Sequence, residues 1–147
     1  MKVVLAADHI GAVVKNEIKK YLTNKDYEVL DLTPSNPPID DYPDYAFELC
    51  EVIVKKKADS GILVNTTGIG MSIAANKVKG IRCALVSNVN EATLAREHNN
   101  ANVLALGTSI NLNEILKIVD IFLKTDFGKE ERHARRVEKI IKYENEN

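Results

Sequence analysis

The chain has no tryptophan, two cysteines, four prolines and only 5% aromatic residues among its 147. Cys50 and Cys83 do not make a disulfide framework, so the fold cannot rest on cross-links. A reducing cytoplasm is the compartment this cysteine usage suits. No apolar run approaches the ~18 residues of a membrane span. The opening run Met1–Ala7 stops at Asp8 with no cleavage-like segment, so it reads as a strand, not a signal peptide, and no membrane partner is expected. Neither sign of charge dominates: 20 Lys+Arg against 21 Asp+Glu leave a net charge of −1. That removes the global basic field of nucleic-acid binders. The three histidines have no metal-ligand spacing to one another or to the cysteines, so no metal is expected. What remains is ordinary, with 45% apolar and 28% charged residues. A chain of this length buries roughly two-thirds of its unfolded surface, enough for one core. One domain, residues 1–147, is expected.

The pattern alternates strands and helices. Lys2–Ala7 is a β-branched apolar run. Val14, Ile18, Tyr21 and Leu22 then recur at helical spacing. Tyr27–Leu32 reads as a second strand. Three prolines between Pro34 and Pro38 make the next stretch a loop. Ala46, Leu49, Cys50 and Ile53 mark a helix that starts near Pro43 and ends at Lys55-Lys56-Lys57, a solvated terminus that complements the helix dipole. Gly61–Val64, Ile81–Val86 and Val103–Leu106 are further strands. Met71–Lys77, Glu91–His98 and the stripe Ile115, Ile118, Val119, Phe122 are helices. A last helix, about 129–143, carries Val137, Ile140 and Ile141 on one side, and 144–147 is expected to fray. Short apolar strands between amphipathic helices predict a doubly wound Rossmann-like αβα sandwich with a mostly parallel sheet of about five strands. In such sheets ligands bind at the carboxyl ends of the strands.

Three segments fall at that edge: Asp8-His9, Asn65–Gly70 and Ser87-Asn88. In Thr66-Thr67-Gly68-Ile69-Gly70, two glycines between a strand and a helix let backbone N–H groups converge on a negative oxygen, or simply make a tight turn. The dinucleotide fingerprint is excluded because position 73 is Ile, and the P-loop because its Gly-Lys-Ser/Thr ending is missing. Asp8-His9 could clamp a substrate or move protons. Alternatively, Asp8 caps the following helix and His9 bonds the backbone. His98 could do chemistry or complement a helix C-terminus, with Asn99 or Asn100 as the left-handed cap. Arg132 and Arg136 leave one helix face together, which suits a phosphate or a solvated basic face. Cys50 and Cys83 read as inert buried residues.

These segments, in order, resemble the ribose-5-phosphate isomerase B family, whose group also holds galactose-6-phosphate isomerase subunits. The resemblance rests on Ala7-Asp8-His9, Asp41-Tyr42-Pro43, Thr67-Gly68-Ile69-Gly70-x-Ser72-Ile73-Ala74-Ala75-Asn76-Lys77, Gly80-Ile81-Arg82, Glu97-His98-Asn99-Asn100-Ala101-Asn102-Val103 and Arg132-His133-x-x-Arg136-Val137. They cover nearly the whole chain.

The resemblance implies an aldose–ketose isomerase acting through a 1,2-enediol without metal or organic cofactor. It implies a homodimer or dimer of dimers with sites at subunit interfaces, and ribose 5-phosphate/ribulose 5-phosphate as the substrate pair. A hexose 6-phosphate such as galactose 6-phosphate, in a hetero-oligomer with a related subunit, is the alternative. It further implies that His98 opens the sugar ring and Asp8 orients hydroxyls. Thr67 and the N–H groups of Gly68, Ile69 and Gly70, next to Thr66, would stabilise the enediolate. Arg132, Arg136 and His9 would hold the phosphate, and Tyr42 and Asn99 would touch the sugar. The family's base is a Cys at the position of Asn65, or a Glu at that of Met71. Neither Asn nor Met has a usable basic state. Asp8, His98 or a carboxylate of Asp40/Asp41 would have to replace it, or the chain binds the sugar phosphate without catalysis. Ser109 stands where many members carry Arg, and Glu130-Glu131 where many have Gly-Gly.

Overall fold

The structure, a computed structural model, describes residues 1–34 and 41–147. Asp40 and most of the proline-rich loop lie outside the described residues. Among the described residues five strands form one wholly parallel sheet: β1 (Lys2–Ala7), β2 (Glu28–Asp31), β3 (Ser60–Asn65), β4 (Cys83–Leu85) and β5 (Val103–Gly107). Their spatial order is β2-β1-β3-β5-β4. Among the described residues six helices join and follow the strands: α1 (Ala12–Asn24), α2 (Tyr42–Val54), α3 (Ile69–Ala75), α4 (Val89–Asn99), α5 (Leu112–Lys124) and α6 (Glu131–Glu146). The fold is the expected α/β sandwich.

Alternation along the strands builds two cores. Val3, Leu5, Ala7, Ile62, Val64, Leu104 and Leu106 pack with Ile18 and Leu22 of α1, Ala92 and Ala95 of α4 and Ile115, Ile118, Val119 and Phe122 of α5. Val4, Ala6, Leu63, Val103 and Ala105 point the other way, onto Leu49, Cys50 and Ile53 of α2 and Met71, Ala74 and Ala75 of α3. Side chains at successive strand positions face opposite sides, so one apolar run feeds both layers. Strand order reverses between β1 and β3, and the crevice beyond their carboxyl ends is the ligand position of such sheets.

Helix ends follow local chemistry. Pro43 sits in the first turn of α2, where its missing N–H costs nothing. At the start of α4 the Asn88 side chain accepts the Glu91 N–H at 2.8 Å, and Glu91 Oε1 accepts the Ser87 N–H at 2.7 Å. This reciprocal cap satisfies two orphan donors. Asn100 ends α4 in the left-handed conformation, φ 47°.

Three expectations need correction. The last helix does not stop at 143 with a frayed tail. It runs to Glu146, because Glu144 Oε2 accepts the Gly80 N–H at 2.9 Å and so ties down the final turn. It also begins later than 129, since the preceding Gly128 N–H is committed to the Glu97 carbonyl. Of Val137, Ile140 and Ile141 the first is buried and the other two are exposed; His133, one turn before Val137, is buried with it. Cys83 is half-buried rather than buried, because the fourth strand is a three-residue edge strand.

Candidate active site

The crevice between β1 and β3 holds the first group of candidates. Ala7 pairs with Val64 in the sheet, so Asp8 and Asn65 leave neighbouring strands side by side. The Asp8 carboxylate is buried, and its Oδ1 accepts the Gly11 N–H at 2.8 Å. The helix-entry role of Asp8 is therefore real. Gly11 is required there: a Cβ would lie 2.7 Å from the Val64 carbonyl carbon and closer still to its oxygen. His9 is exposed beside it.

The glycine turn is held by its own side chains. Asn65 is 6% exposed, and its Oδ1 accepts the Gly68 N–H at 2.6 Å. Thr67 Oγ1 accepts the Ile69 N–H at 3.2 Å. Two of the N–H groups expected to face an anion are thus engaged within the turn. Gly68 has φ +77°, a conformation that favours glycine. The Thr66 carbonyl accepts the Thr108 N–H at 3.1 Å, tying the turn to the end of β5. The Tyr42 ring lies against Gly70, where a Cβ would fall 2.5 Å from its Oη. Asp8, His9, Tyr42 and Thr66–Gly70 are thus brought to one edge.

The second group assembles elsewhere. His98, Asn99, Arg132, His133 and Arg136 line a cleft of about 350 Å³ between the end of α4 and the start of α6. His98 and His133 stack with ring centroids 4.2 Å apart and planes 18° off parallel. His133 is 6% exposed. Burial, and then the neighbouring His98 and Arg132, push its pKa below the usual histidine range. Glu130 sits 2.8 Å from Arg132, while Glu131 pairs with Arg135 at 2.6 Å. The Arg132–Glu130 pair is exposed, and such pairs contribute only ~0–1 kcal/mol, so a phosphate dianion can displace it. A separate cleft of about 250 Å³ beside the glycine turn is lined by Thr67, Ile69, Ser87, Glu91 and Ser109 among others. The two clefts share no lining residue.

The family model for ribose/galactose isomerases matches residues 3–140. The chain belongs to the ribose/galactose isomerase family. A Mycoplasma genitalium protein named probable ribose-5-phosphate isomerase B is 46% identical over 145 residues, covering 97% of this chain and 95% of its own length. A Clostridium thermocellum ribose-5-phosphate isomerase B structure superposes with a TM-score of 0.95 at 43% identity, covering 99% of each chain. The Mycoplasma genitalium ribose-5-phosphate isomerase B structure with bound ribulose-5-phosphate superposes with a TM-score of 0.92 at 45% identity, covering 99% of this chain and 97% of that one.

Neither Asn65 nor Met71, the positions at which the sequence resemblance implies a base, offers one. Asn65 is engaged as a turn lock, and Met71 is wholly buried in the core of the α2–α3 layer. Burial pushes the Cys50 thiol up to about 12 and raises Cys83 as well, so neither supplies a thiolate at neutral pH. Asp41 stands exposed at the N-cap position of α2, where its side chain makes no capping hydrogen bond.

Two contributors escaped sequence reading. Lys15 is 1% exposed; its Nζ donates to the Thr33 carbonyl and lies 3.2 Å from Asp31 Oδ1. Thr33 Oγ1 in turn accepts the Ala7 N–H at 3.1 Å, next to Asp8. The available signal was a lysine on the apolar helix face, three residues before Ile18 and seven before Leu22. His133 was visible only as part of a motif, since stacking across two helices leaves no trace in spacing.

Proposed function

We propose that this chain binds a five-carbon sugar phosphate and interconverts ribose 5-phosphate and ribulose 5-phosphate, in a site completed by two copies of the chain. The observation that carries the reading is that one copy leaves the site residues in two groups: His98, Asn99, Arg132 and Arg136 line one cleft, and Thr67 and Ile69 of the glycine turn line another that shares no residue with it. One cleft offers cations for phosphate, and the other edge offers a carboxylate and a glycine turn. Two-fold pairing of two copies, in a homodimer or dimer of dimers, would bring the Arg132–Arg136 cleft of each against the Asp8–Gly70 edge of the other.

In that assembly Arg132 and Arg136 hold the phosphate through forked charge-assisted bonds, with His9 beside them. His98 carries the proton between the ring oxygen and O1 as the ring opens. Asp8, Tyr42 and Asn99 orient the open chain. The reaction removes the proton from C2 and returns one to C1, while charge on O1 faces Thr67 and the glycine turn. With Asn65 and Met71 unable to act as base, this reading gives the proton at C2 to Asp8, His98 or a carboxylate of Asp40/Asp41.

A second reading, sugar-phosphate binding without turnover, is favoured by Asn65, whose side chain is neutral, buried and committed to Gly68. One experiment separates the two. The protein is mixed with ribose 5-phosphate in deuterated water, and ketose formation and deuterium at the exchanged carbon are followed. Isomerisation gives both. Binding by calorimetry without exchange supports the second reading, and neither binding nor exchange overturns both.

A further inference from the structure

The segment Gly80-Ile81-Arg82 has no role in the chemistry above, yet it touches both elements that build the cation cleft. The Arg82 side chain is half-buried in front of β4. Its Nε donates to the Asn99 carbonyl at 3.0 Å and its Nη2 to the Asn100 carbonyl at 2.9 Å. These are carbonyls that the end of α4 leaves without helical partners. The backbone on both sides is held as well. The Arg82 N–H donates to Asn102 Oδ1 at 2.9 Å, and Asn102 Nδ2 donates to the Gly80 carbonyl at 2.8 Å. On the opposite side the Gly80 N–H reaches Glu144 Oε2 of α6 at 2.9 Å.

The end of α4 carries His98 and Asn99, and α6 carries Arg132, His133 and Arg136. The 80–82 segment is thus bonded directly to the α4 wall of the cleft, and to α6 at Glu144, about two turns beyond Arg136. Arg96 adds a second brace from within α4, donating from Nη1 to Asn100 Oδ1 at 2.9 Å and to the Ala101 carbonyl at 2.6 Å. A planar guanidinium with donors in a fixed fork can hold two successive carbonyls at a set angle, which an ammonium cannot.

We propose that Arg82 is a positioning residue for the cation cleft: it fixes the last turn of α4 so that His98 stacks on His133 and faces the same space as Arg132 and Arg136. It touches no substrate. The consequence for ligand binding rests on the sugar-phosphate reading above, whereas the consequence for the histidine stack does not.

The test uses the chain's three histidines, His9, His98 and His133. Their imidazole resonances are recorded by NMR in the ligand-free protein for wild type, Arg82→Ala, Arg82→Lys and, as a control loosened in the opposite layer, Ile53→Val. Both Arg82 variants are expected to lose the ring-current shifts of His98 and His133 while His9 stays in place, Arg82→Lys less completely. Ile53→Val leaves all three unchanged. By calorimetry, ribose 5-phosphate binds Arg82→Ala about tenfold more weakly, the loss expected from one lost charge-assisted contact acting through the stack. Wild-type His98 and His133 resonances in a folded Arg82→Ala would overturn the proposal. If that variant does not fold, the same unmoved resonances in Arg82→Lys overturn it. An equal shift in Ile53→Val would also overturn it, since stability alone would then move the stack. Absence of ribose 5-phosphate binding in the wild type would overturn the sugar-phosphate reading and leave the resonance test standing.

Discussion

Two glycine-to-alanine changes separate a functional close approach from a structural one. At Gly70 the added methyl would meet the far end of a side chain, with Tyr42 Oη and Cε1 at 2.5 and 2.6 Å. Tyr42 is half-buried at the start of α2, so its ring can swing outward. The cost is re-exposure of about half a ring, on the order of 100 Å² at ~25 cal/mol/Å², or ~2.5 kcal/mol. Alanine in a helix regains ~0.5–1 kcal/mol over glycine, leaving a net loss of ~1.5–2 kcal/mol. At Gly11 the methyl would meet backbone, 2.7 Å from the Val64 carbonyl carbon, in the central strand of the sheet. Nothing there can swing, and overpacking of this kind costs ~3 kcal/mol or more. For a chain of this size each kcal/mol moves Tm by ~2–4 °C. Thermal melts should therefore fall by about 3–8 °C for Gly70→Ala and by at least ~6–12 °C for Gly11→Ala. Ribose 5-phosphate affinity should show the reverse order once both proteins are folded, with Gly70→Ala at least tenfold weaker because Tyr42 has left the turn. Wild-type affinity in Gly70→Ala would remove Tyr42 from the substrate site. A Gly11→Ala melt within about 2 °C of wild type would refute the argument that backbone neighbours are the unforgiving ones.

Arg136 is exposed, so Arg136→Ala should change stability by no more than ~0.5 kcal/mol. The same change should weaken ribose 5-phosphate binding about 10–100-fold by calorimetry, and equal losses in both would make Arg136 structural. Lys15→Met leaves the Asp31 carboxylate, 4% exposed, with the Thr33 N–H at 2.9 Å and the half-exposed Lys19 at 3.3 Å as its remaining partners. Urea unfolding should show a loss near the lower end of ~3–5 kcal/mol, partly recovered in Lys15→Met/Asp31→Leu; a loss below ~1 kcal/mol would refute the buried-pair argument. Burial, with His98 and Arg132 beside it, holds the His133 pKa in the folded state below that of the unfolded chain. The unfolded state then binds the extra proton first, so this stability is complete above pH ~6.5 and declines as pH falls through that value toward the folded pKa. Urea midpoints should drop between pH 7.5 and 5.5, and His133→Gln should flatten that drop; an unchanged slope would assign it to another group.

The fold was legible because its signals are local. Strands such as Gly61–Val64 are unbroken apolar runs, and α5 repeats Ile115, Ile118, Val119 and Phe122 at helical spacing. The edge that carries Asp8 and Asn65–Gly70 followed from strand order alone. What was not legible depends on contacts across the chain. Glu144 lies 64 residues from Gly80, and its bond keeps the last turn of α6 helical where composition suggested fraying. Lys15 reads as a surface lysine until Asp31 and the Thr33 carbonyl are seen around it. His98 and His133 lie 35 residues apart, and only the packing of α6 on α4 makes them a stack. The separation of the site into two clefts was equally out of reach of spacing, because it concerns which residues one copy of the chain fails to bring together.

Asn65 shows how one position can set both halves of the proposed chemistry. A thiol there could take a proton from carbon, but it would accept the Gly68 N–H only weakly. That N–H would then be turned toward a substrate oxygen. Asparagine reverses both properties together: its amide has no basic state, and its Oδ1 captures the Gly68 N–H at 2.6 Å. The turn is thereby more firmly closed and its donor set smaller, while the cations of the second cleft are untouched. Binding and turnover can thus part company at one side chain. This is why Asn65→Cys is expected to raise the exchange rate in deuterated water while lowering the melting temperature. A faster reaction without loss of stability would mean that the Asn65–Gly68 bond contributes nothing to holding the turn.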